Sequence, residues 1–244
     1  MKDDNIDISL WDNLGETYWM HRNEKQKWVH KYILFPAINN ILNQSSFESL
    51  LDYGCGDGEL LQYLSTKYIN KTLVGFDQSK QMSSIAKKKH PNLVIKNTLM
   101  HSTYDFICMN MVIQDIRNPL NLLVELRDFL KDNGNIVITL PHPIFSLIES
   151  QHLTTSRIVK NKKGSKGIYR YLDEDYEEVY WNANSSNFTK LYNRTFFTYS
   201  KMFENAGYVI KNLFEPMPIN DGICEPDMYE LFVSIPKLIV FQLQ

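Results

Sequence analysis

A glycine-rich loop between a predicted strand and a predicted helix constrains the fold of this chain more than any other feature. The loop is the segment LLDYGCGDG at residues 50–58, whose apolar start is typical of a buried strand. The apolar face of a helix follows at once, with Leu60, Leu61, Leu64 and Tyr68. Strands and helices then alternate up to residue 140, which is the pattern of βαβ units. We therefore expect an α/β fold with a doubly wound parallel sheet that helices cover on both faces.

The predicted elements are short and well punctuated. Strands are predicted at 49–54, 72–77, 92–97, 104–110, 135–140, 208–216 and 237–244. Helices are predicted at 23–43, 79–89, 118–134 and 199–206. Ser79 is a predicted N-cap, and Gly134 and Gly207 are predicted to end the last two helices.

Residues 144–195 interrupt this pattern. A basic run at 157–170 is followed by an acidic run at 173–178, and opposite charges favour a β-hairpin that pairs the two runs. We expect this segment to cap the ligand edge of the sheet. The chain then divides into a helical lid at 1–46, a core at 47–143 and 196–244, and a substrate-capping insertion at 144–195.

Charge and composition argue against several classes of partner. The formal net charge of −2 lacks the basic excess of a protein that grips many phosphates, so no nucleic-acid partner is expected. The three cysteines and six histidines are scattered and give no metal-ligand spacing. The start MKDDNIDISLW is unlike a signal peptide, and no apolar run approaches the ~20 residues of a membrane helix. We expect a cytoplasmic protein without a metal site or a membrane contact.

The glycine loop does not have the spacing of a phosphate-binding loop. Its pattern is G-x-G-x-G, whereas a dinucleotide fingerprint is G-x-G-x-x-G and a Walker loop needs a G-K-[ST]. Asp57 and Glu59 at the helix start are expected to repel a pyrophosphate. Asp77, at the end of the second strand, can accept both hydroxyls of a ribose. These features together point to an adenosine that carries positive charge, and S-adenosylmethionine has a ribose, an amine and a sulfonium.

These residues resemble the class I S-adenosylmethionine-dependent methyltransferases. The resemblance rests on the order of DYGCGDG (52–58), GFDQS (75–79), YDFICMNMV (104–112) and LRDFLKDNGNIVITLP (126–141), and extends loosely over 192–218. It implies a Rossmann-like sheet of seven strands whose last strand is antiparallel. It also implies S-adenosylmethionine as the methyl donor and S-adenosylhomocysteine as the product.

The resemblance also implies a set of cofactor-binding residues. Gly54 and Gly56 would line the methionine part, Asp77 would take the ribose hydroxyls, and Asp52 would hold the loop or the amino group. A purely structural role as a cap of the loop is the alternative for Asp52. The full set is Tyr18 as an aromatic lid, Asp52, Gly54, Gly56, Asp77, Gln78 beside the adenine, Asn97, Thr98, and Asn110 and Met111 beneath the methionine. Asn97 stands where the family often has an acid, and a role as a turn residue is its alternative.

The acceptor side is predicted from residues beyond the fifth strand. His142, within PHPIF (141–145), is the candidate general base, with packing beneath a proline turn as the alternative. Tyr180, Trp181 and Phe197 are the candidate substrate residues, with a place in the core of the insertion as the alternative. The acidic run is interpreted as a solvated face, or else as a surface that recognises a cationic substrate.

The predicted activity is methyl transfer to O or N of a small molecule or a short peptide, by in-line displacement without a metal. The alternatives are a methyltransferase of RNA or protein and a non-catalytic module that binds S-adenosylmethionine. The sequence names neither the acceptor nor the oligomeric state.

Overall fold

Strands and helices alternate along most of the chain. The computed structural model describes residues 8–21, 24–99, 102–144, 171–172, 174–180, 188–220, 226–233 and 236–244. In these ranges the helices are α1 (Ile8–His21), α2 (Glu24–Val29), α3 (Phe35–Asn43), α4 (Glu59–Ser65), α5 (Lys80–Lys89), α6 (Leu120–Leu126), α7 (Phe196–Asn205) and α8 (Pro226–Val233). The strands are β1 (Ser49–Tyr53), β2 (Thr72–Phe76), β3 (Val94–Lys96), β4 (Tyr104–Asn110), β5 (Leu130–Pro141), β6 (Tyr176–Tyr180), β7 (Phe188–Tyr192), β8 (Ile210–Phe214) and β9 (Leu238–Leu243).

Seven of these strands form one mixed sheet in the order β3-β2-β1-β4-β5-β9-β8. β9 runs antiparallel to both of its neighbours, and the pairs among β1 to β5 are parallel. The predicted fold class and its antiparallel last strand are therefore confirmed. The chain leaves the sheet edge at β3 and returns at β4, beside β1. The carboxyl ends of β1 and β4 consequently flank the crevice where open α/β sheets bind ligands.

Alternate residues of each strand enter two apolar layers. Leu50 and Cys108 belong to the layer packed under α3 and α4, whereas Leu51 and Ile107 belong to the layer packed under α6 and α7. Burial of each such leucine or isoleucine contributes about 1.5–3 kcal/mol relative to exposure. The two layers hold the strand ends in fixed positions at the crevice.

The predicted end of one helix was wrong. The helix predicted at 118–134 ends at Leu126, and a 3₁₀ turn leads into β5 at Leu130. Gly134 lies in an irregular stretch of β5, where an added Cβ would stand 2.9 Å from the carbonyl oxygen of Lys131. Pairing of β5 with β4, a long-range interaction, therefore overrides the local pattern of the helix.

The amino-terminal region is helical with a break close to Pro36, a residue from which the sequence suggests a kink. The helix predicted at 23–43 is divided by a π-helical turn at His30–Leu34, directly before Pro36. Proline has no N–H with which to continue a helical ladder, which accounts for a break at this point. Helices α1 and α8 were not predicted as separate elements. In the described part of the chain, no helix has the length and apolar character needed to cross a membrane.

A two-stranded hairpin belongs to the predicted capping segment. β6, within the acidic run, pairs antiparallel with β7, so that Glu178 lies opposite Lys190. The sequence analysis did not identify β7 as a strand. The basic run at 157–170 lies outside the described residues. Arg194, just after β7, donates hydrogen bonds to the carbonyls of Ile116 and Arg117 and so ties the hairpin to the turn that follows β4.

Candidate active site

The glycine loop that follows β1 bends sharply over the crevice. Its three glycines are Gly54, Gly56 and Gly58, with φ values of +75°, +54° and +81°. These values lie in the left-handed region, which favours glycine. A Cβ at Gly54 would stand 2.6 Å from the Val112 side chain, and the Gly54 N–H donates to the Phe76 carbonyl at 2.7 Å. The loop therefore brings bare backbone to the carboxyl end of β1 and leaves no room for a side chain at Gly54.

Asp77 connects this loop to the end of β2. Its Oδ2 accepts the Gly56 N–H at 2.8 Å, and its Oδ1 accepts the Ser79 N–H at 2.9 Å. Burial raises the pKa of Asp77 to about 6, although the two backbone N–H groups lower it. Each oxygen has a further lone pair, so the carboxylate can accept two more hydrogen bonds from a ligand.

Asp52, on β1, is a fully buried carboxyl group, and in the described structure neither of its oxygens has a hydrogen-bond partner. Burial, followed by repulsion from Asp77 and Asp57, raises its pKa to about 8. Buried polar groups nearly always have partners, and a buried negative charge needs a positive one. The group beneath the loop is therefore suited to a ligand that brings positive charge.

The two acidic residues at the start of α4 share one lysine partner. Asp57 and Glu59 were expected to repel phosphate, but the Lys89 ammonium lies 2.9 Å from Asp57 and 2.8 Å from Glu59. The single charge of the lysine offsets one of the two carboxylate charges, so the start of α4 keeps a net negative charge. The preference for a cationic over an anionic ligand therefore depends mainly on Asp52 and Asp77, and the remaining charge at the start of α4 acts in the same direction. The sequence of the glycine loop could not predict the contact with Lys89, because that lysine lies on a different helix, α5.

The end of β4 forms the opposite wall of the crevice. The Asn110 Oδ1 accepts the Thr139 hydroxyl at 2.9 Å, and the Met111 N–H donates to the Thr139 carbonyl at 3.0 Å. Met111 has a φ of +59°, which is uncommon for a residue other than glycine. Strained backbone of this kind often occurs at ligand sites, and here it turns the chain away from the sheet at the crevice.

The remaining predicted cofactor residues have different surroundings. Gln78 is half-buried beside Asp77, whereas Asn97 and Thr98 are exposed after β3. Tyr18 lies in α1, but its side chain is outside the described part of the structure. The sequence analysis missed another residue of α1. The Asp12 carboxylate accepts a hydrogen bond from the Ser79 hydroxyl at 2.6 Å and so brings α1 to the end of β2.

His142 is buried just beyond β5, with 3% of its surface exposed. Its Nε2 lies 2.9 Å from Glu215 Oε1, and its ring packs edge-on against Phe196 at 5.2 Å. An ionised Glu215 assigns the proton to Nε2 and leaves a lone pair on Nδ1. In the described structure Nδ1 has no hydrogen-bond partner. The pair thus has the arrangement of a general base that a carboxylate orients.

A cleft lies between the hairpin and the core, and it is lined by Pro141 and Pro143 but not by His142 between them. It is partly open to solvent, and we call it the cap cleft. Its lining includes aromatic and polar side chains, among them Gln114, Pro141, Tyr171, Tyr192, Arg194 and Tyr199. Most of these residues were not predicted, because tertiary packing brings them together from four separate segments.

The predicted substrate residues are not among those that line the cap cleft. The Phe197 ring is 70% exposed, and the preceding Phe196 packs against His142 in its place, since adjacent residues of a helix face different directions. Tyr180 is half-buried on β6, where its hydroxyl donates to Glu178 and its ring contacts Phe188. Trp181 lies outside the described residues.

Comparison with known proteins places this arrangement in context. A family profile described as a methyltransferase domain matches residues 18–212. The malonyl-[acyl-carrier protein] O-methyltransferase of Halalkalibacterium halodurans is 29% identical over 132 residues, which are 48% of this chain and 49% of that protein. The chain thus spans about half the length of this curated relative.

Solved structures share the fold. The S-adenosylmethionine-dependent methyltransferase of Mesorhizobium loti superposes with a TM-score of 0.63 at 20% identity, over 85% of this chain and 95% of that one. The plantazolicin methyltransferase BpumL, in complex with a triazolic desmethylPZN analog and SAH, superposes with a TM-score of 0.54 at 16% identity, over 97% and 96%. At these identities the likeness shows the architecture of the chain.

Proposed function

Because the chain belongs to the methyltransferase domain family, as a class I S-adenosylmethionine-dependent methyltransferase, we propose that it methylates O or N of a small molecule or a short peptide. The observation that supports this proposal most directly is the unpartnered Asp52 carboxyl beneath the glycine loop, beside the Asp77 carboxylate. Such a pair is complementary to a ligand with ribose hydroxyls and positive charge. When bound, S-adenosylmethionine supplies a sulfonium methyl that a nucleophile can displace in line.

The residues of the crevice have distinct proposed roles toward this cofactor. Asp77 accepts the ribose hydroxyls, Asp52 provides negative charge near the cationic end, and Gly54 and Gly56 allow close approach of the backbone. The other proposed contacts are Tyr18 as a lid, Gln78, Asn97 and Thr98 toward the adenine, and Asn110 and Met111 toward the methionine part. The surroundings of Asp52, Asp77 and the glycines fit this group, whereas a pyrophosphate would meet two carboxyl groups.

The proposed class of acceptor follows from the cap cleft and from the named relatives. The cleft has tyrosine and proline walls with a few polar groups, as small-molecule sites do. The names of two similar proteins refer to a malonyl group on an acyl carrier protein and to plantazolicin. We propose that residues 1–46 act as a lid, that 47–143 and 196–244 form the core, and that 144–195 cap the acceptor. The contacts of Asp12 with Ser79 and of Arg194 with Ile116 support this division.

Binding and turnover test the function separately. Calorimetric titration of the wild-type protein with S-adenosylhomocysteine is expected to give micromolar affinity. Methyl transfer from radiolabelled S-adenosylmethionine is then measured across hydroxyl and amine acceptors, with and without EDTA, and we expect transfer that EDTA leaves intact. Binding without transfer to any acceptor would favour the non-catalytic module. Absence of binding would contradict the proposal.

We propose that His142 removes a proton from the acceptor through Nδ1 while Glu215 holds its Nε2–H. His142→Gln and Glu215→Gln are both expected to lower kcat for a hydroxyl acceptor, the first by about 10²–10⁴-fold, which is the usual contribution of a general base. Steady-state kinetics across pH provide the measurement, and the acidic limb of the profile, where the imidazole loses its proton and becomes an active base, should disappear in His142→Gln. An acceptor whose nucleophile is already deprotonated serves as the internal control, and its kcat should fall much less in the same variants. Wild-type rates for the hydroxyl acceptor in both variants would rule out this role.

A further inference from the structure

The turn after β4 places a polar side chain on the wall of the cap cleft, and one atom of this side chain has no partner. Gln114 lies in the 3₁₀ turn Ile113–Asp115, is 5% exposed and lines the cleft. In the described structure its Oε1 has no hydrogen-bond partner. Its Nε2 reaches Asp115 Oδ2 at 3.5 Å, the outer limit of a hydrogen bond. A buried acceptor without a donor is costly unless a ligand supplies the donor.

Arg194 fixes the turn that carries this atom. Its Nη2 donates to the carbonyls of Ile116 at 2.6 Å and Arg117 at 2.9 Å, and its guanidinium lies 5.4 Å from the Tyr192 ring centroid. These contacts hold the backbone on either side of the cleft, so Gln114 is attached to a rigid support. Arg194 is therefore a positioning residue for this turn.

The charge on the cleft wall favours an uncharged ligand. Arg194 places a permanent positive charge on the lining, and the Asp115 and Glu174 carboxylates act with it on the lining residue Tyr199, so the charges offset one another. The nearby Glu174 carboxylate accepts hydrogen bonds from the Thr195 N–H and hydroxyl and so does not extend into the cleft as a free anion. The remaining lining is mainly aromatic and aliphatic, with Tyr171, Tyr192 and Pro141 among its members. This combination suits a planar, neutral molecule.

We propose that Gln114 determines acceptor specificity, because its Oε1 accepts a hydrogen bond from an O–H or N–H group of an uncharged, planar acceptor. This inference rests on the proposed function, since it names the substrate class of the same site. If the proposal holds, recognition of the acceptor does not require the acidic run at 173–178. It also predicts that cationic amines are poor ligands of the cleft.

A matched set of probes tests the proposal by binding alone. Indole has one N–H donor, 1-methylindole lacks it, and tryptamine adds a positive charge. Affinities are measured by ligand-observed NMR titration with saturating S-adenosylhomocysteine, on the wild type, Gln114→Met and Gln114→Glu. Met removes the acceptor atom at similar volume, whereas Glu retains it and adds a negative charge. Thermal melting of each variant verifies that it is folded.

The wild type is expected to bind indole at least roughly fivefold more tightly than 1-methylindole, as one hydrogen bond allows, and to bind tryptamine weakly. Gln114→Met should reduce the indole preference to less than about twofold, and Gln114→Glu should retain it and gain affinity for tryptamine. Equal binding of the two indoles by the wild type, absence of saturable binding, or a preference that persists in Gln114→Met would overturn the proposal. The titration with S-adenosylhomocysteine distinguishes failure of the Gln114 proposal from failure of the proposed function. Absence of S-adenosylhomocysteine binding would contradict the proposed function itself.

Discussion

Replacement of Asp77 by alanine is expected to weaken S-adenosylhomocysteine binding by roughly 5- to 150-fold, the equivalent of about 1–3 kcal/mol. The ribose hydroxyls lose their proposed acceptor, and the N–H groups of Gly56 and Ser79 lose the carboxylate that now accepts them. Loss of the Gly56 contact also frees the glycine loop, so the backbone that approaches the ligand is less well fixed. Calorimetric titration at fixed salt measures the change in affinity.

Asp105 offers a matched control for this experiment. It lies at the opposite end of the sheet, where its Oδ2 accepts the Ser49 N–H at 2.9 Å and the Lys131 ammonium at 2.9 Å. Asp105→Ala therefore removes a comparable carboxylate network far from the crevice. It should lower the melting temperature but leave the affinity for S-adenosylhomocysteine unchanged. Equal losses of affinity in the two variants would mean that Asp77 acts only through general stability.

Replacement of Asp52 by asparagine is expected to stabilise the cofactor-free protein at alkaline pH while it weakens cofactor binding. The pKa of Asp52 is raised from 3.8 to about 8 by burial and by repulsion from Asp77 and Asp57. The folded state therefore holds the proton more tightly than the unfolded state. The stability that this provides is fully present below about pH 4 and is lost as pH rises through about pH 8. A neutral amide avoids the charge, with a gain on the order of a few kcal/mol near pH 8.

Thermal unfolding across about pH 5 to pH 8 measures this effect, because most of the predicted change in stability from Asp52 falls within that range. The wild type should lose stability as pH rises, and Asp52→Asn should lose less. Asp57→Asn is the contrasting variant, because Asp57 is paired with Lys89 and its loss should destabilise the protein. If the stability of the wild type did not change over this range, ionisation of the unpartnered Asp52 carboxyl would not destabilise the folded protein, and the prediction would be refuted.

Cofactor binding should also change the protonation of Asp52. A cationic ligand that approaches the carboxyl favours its ionised form, so a proton is released on binding near neutral pH. The binding enthalpy of S-adenosylmethionine is then expected to vary with the ionisation enthalpy of the buffer. In Asp52→Asn this dependence should decrease, and the part that remains is expected from Asp77, whose pKa is also raised.

Local signals in the sequence predicted the parts of the structure that local interactions determine. Ser79 caps α5 through its contact with the Met82 N–H, and Gly207 ends α7 with a φ of +80°, both as expected. The positive φ values of Gly54 and Gly56 likewise follow from a tight turn between a strand and a helix. Each of these features depends on a few neighbouring residues.

Tertiary interactions determine what the sequence analysis missed. β5 begins at Leu130 because that residue pairs with Tyr104, a contact that no helix pattern contains. The choice of Phe196 rather than Phe197 against His142 depends on the rotation of α7, which a shift of one residue changes by about 100°. The partner of Asp57, Lys89, comes from a different helix. Acceptor residues are harder to predict than cofactor residues for the same reason.

The position of β9 has a consequence for the order in which the sheet can be completed. β9 is synthesised after every other strand of the sheet, yet it lies between β5 and β8, and all six of its residues are buried. During translation the apolar edge of β5 stays uncovered until β9 emerges, so the nascent chain passes through a stage that is prone to aggregation. The long sequence separation of the β5 and β9 pair also raises the contact order and slows folding. We therefore expect a nascent chain that lacks β9 to depend on chaperones for its solubility.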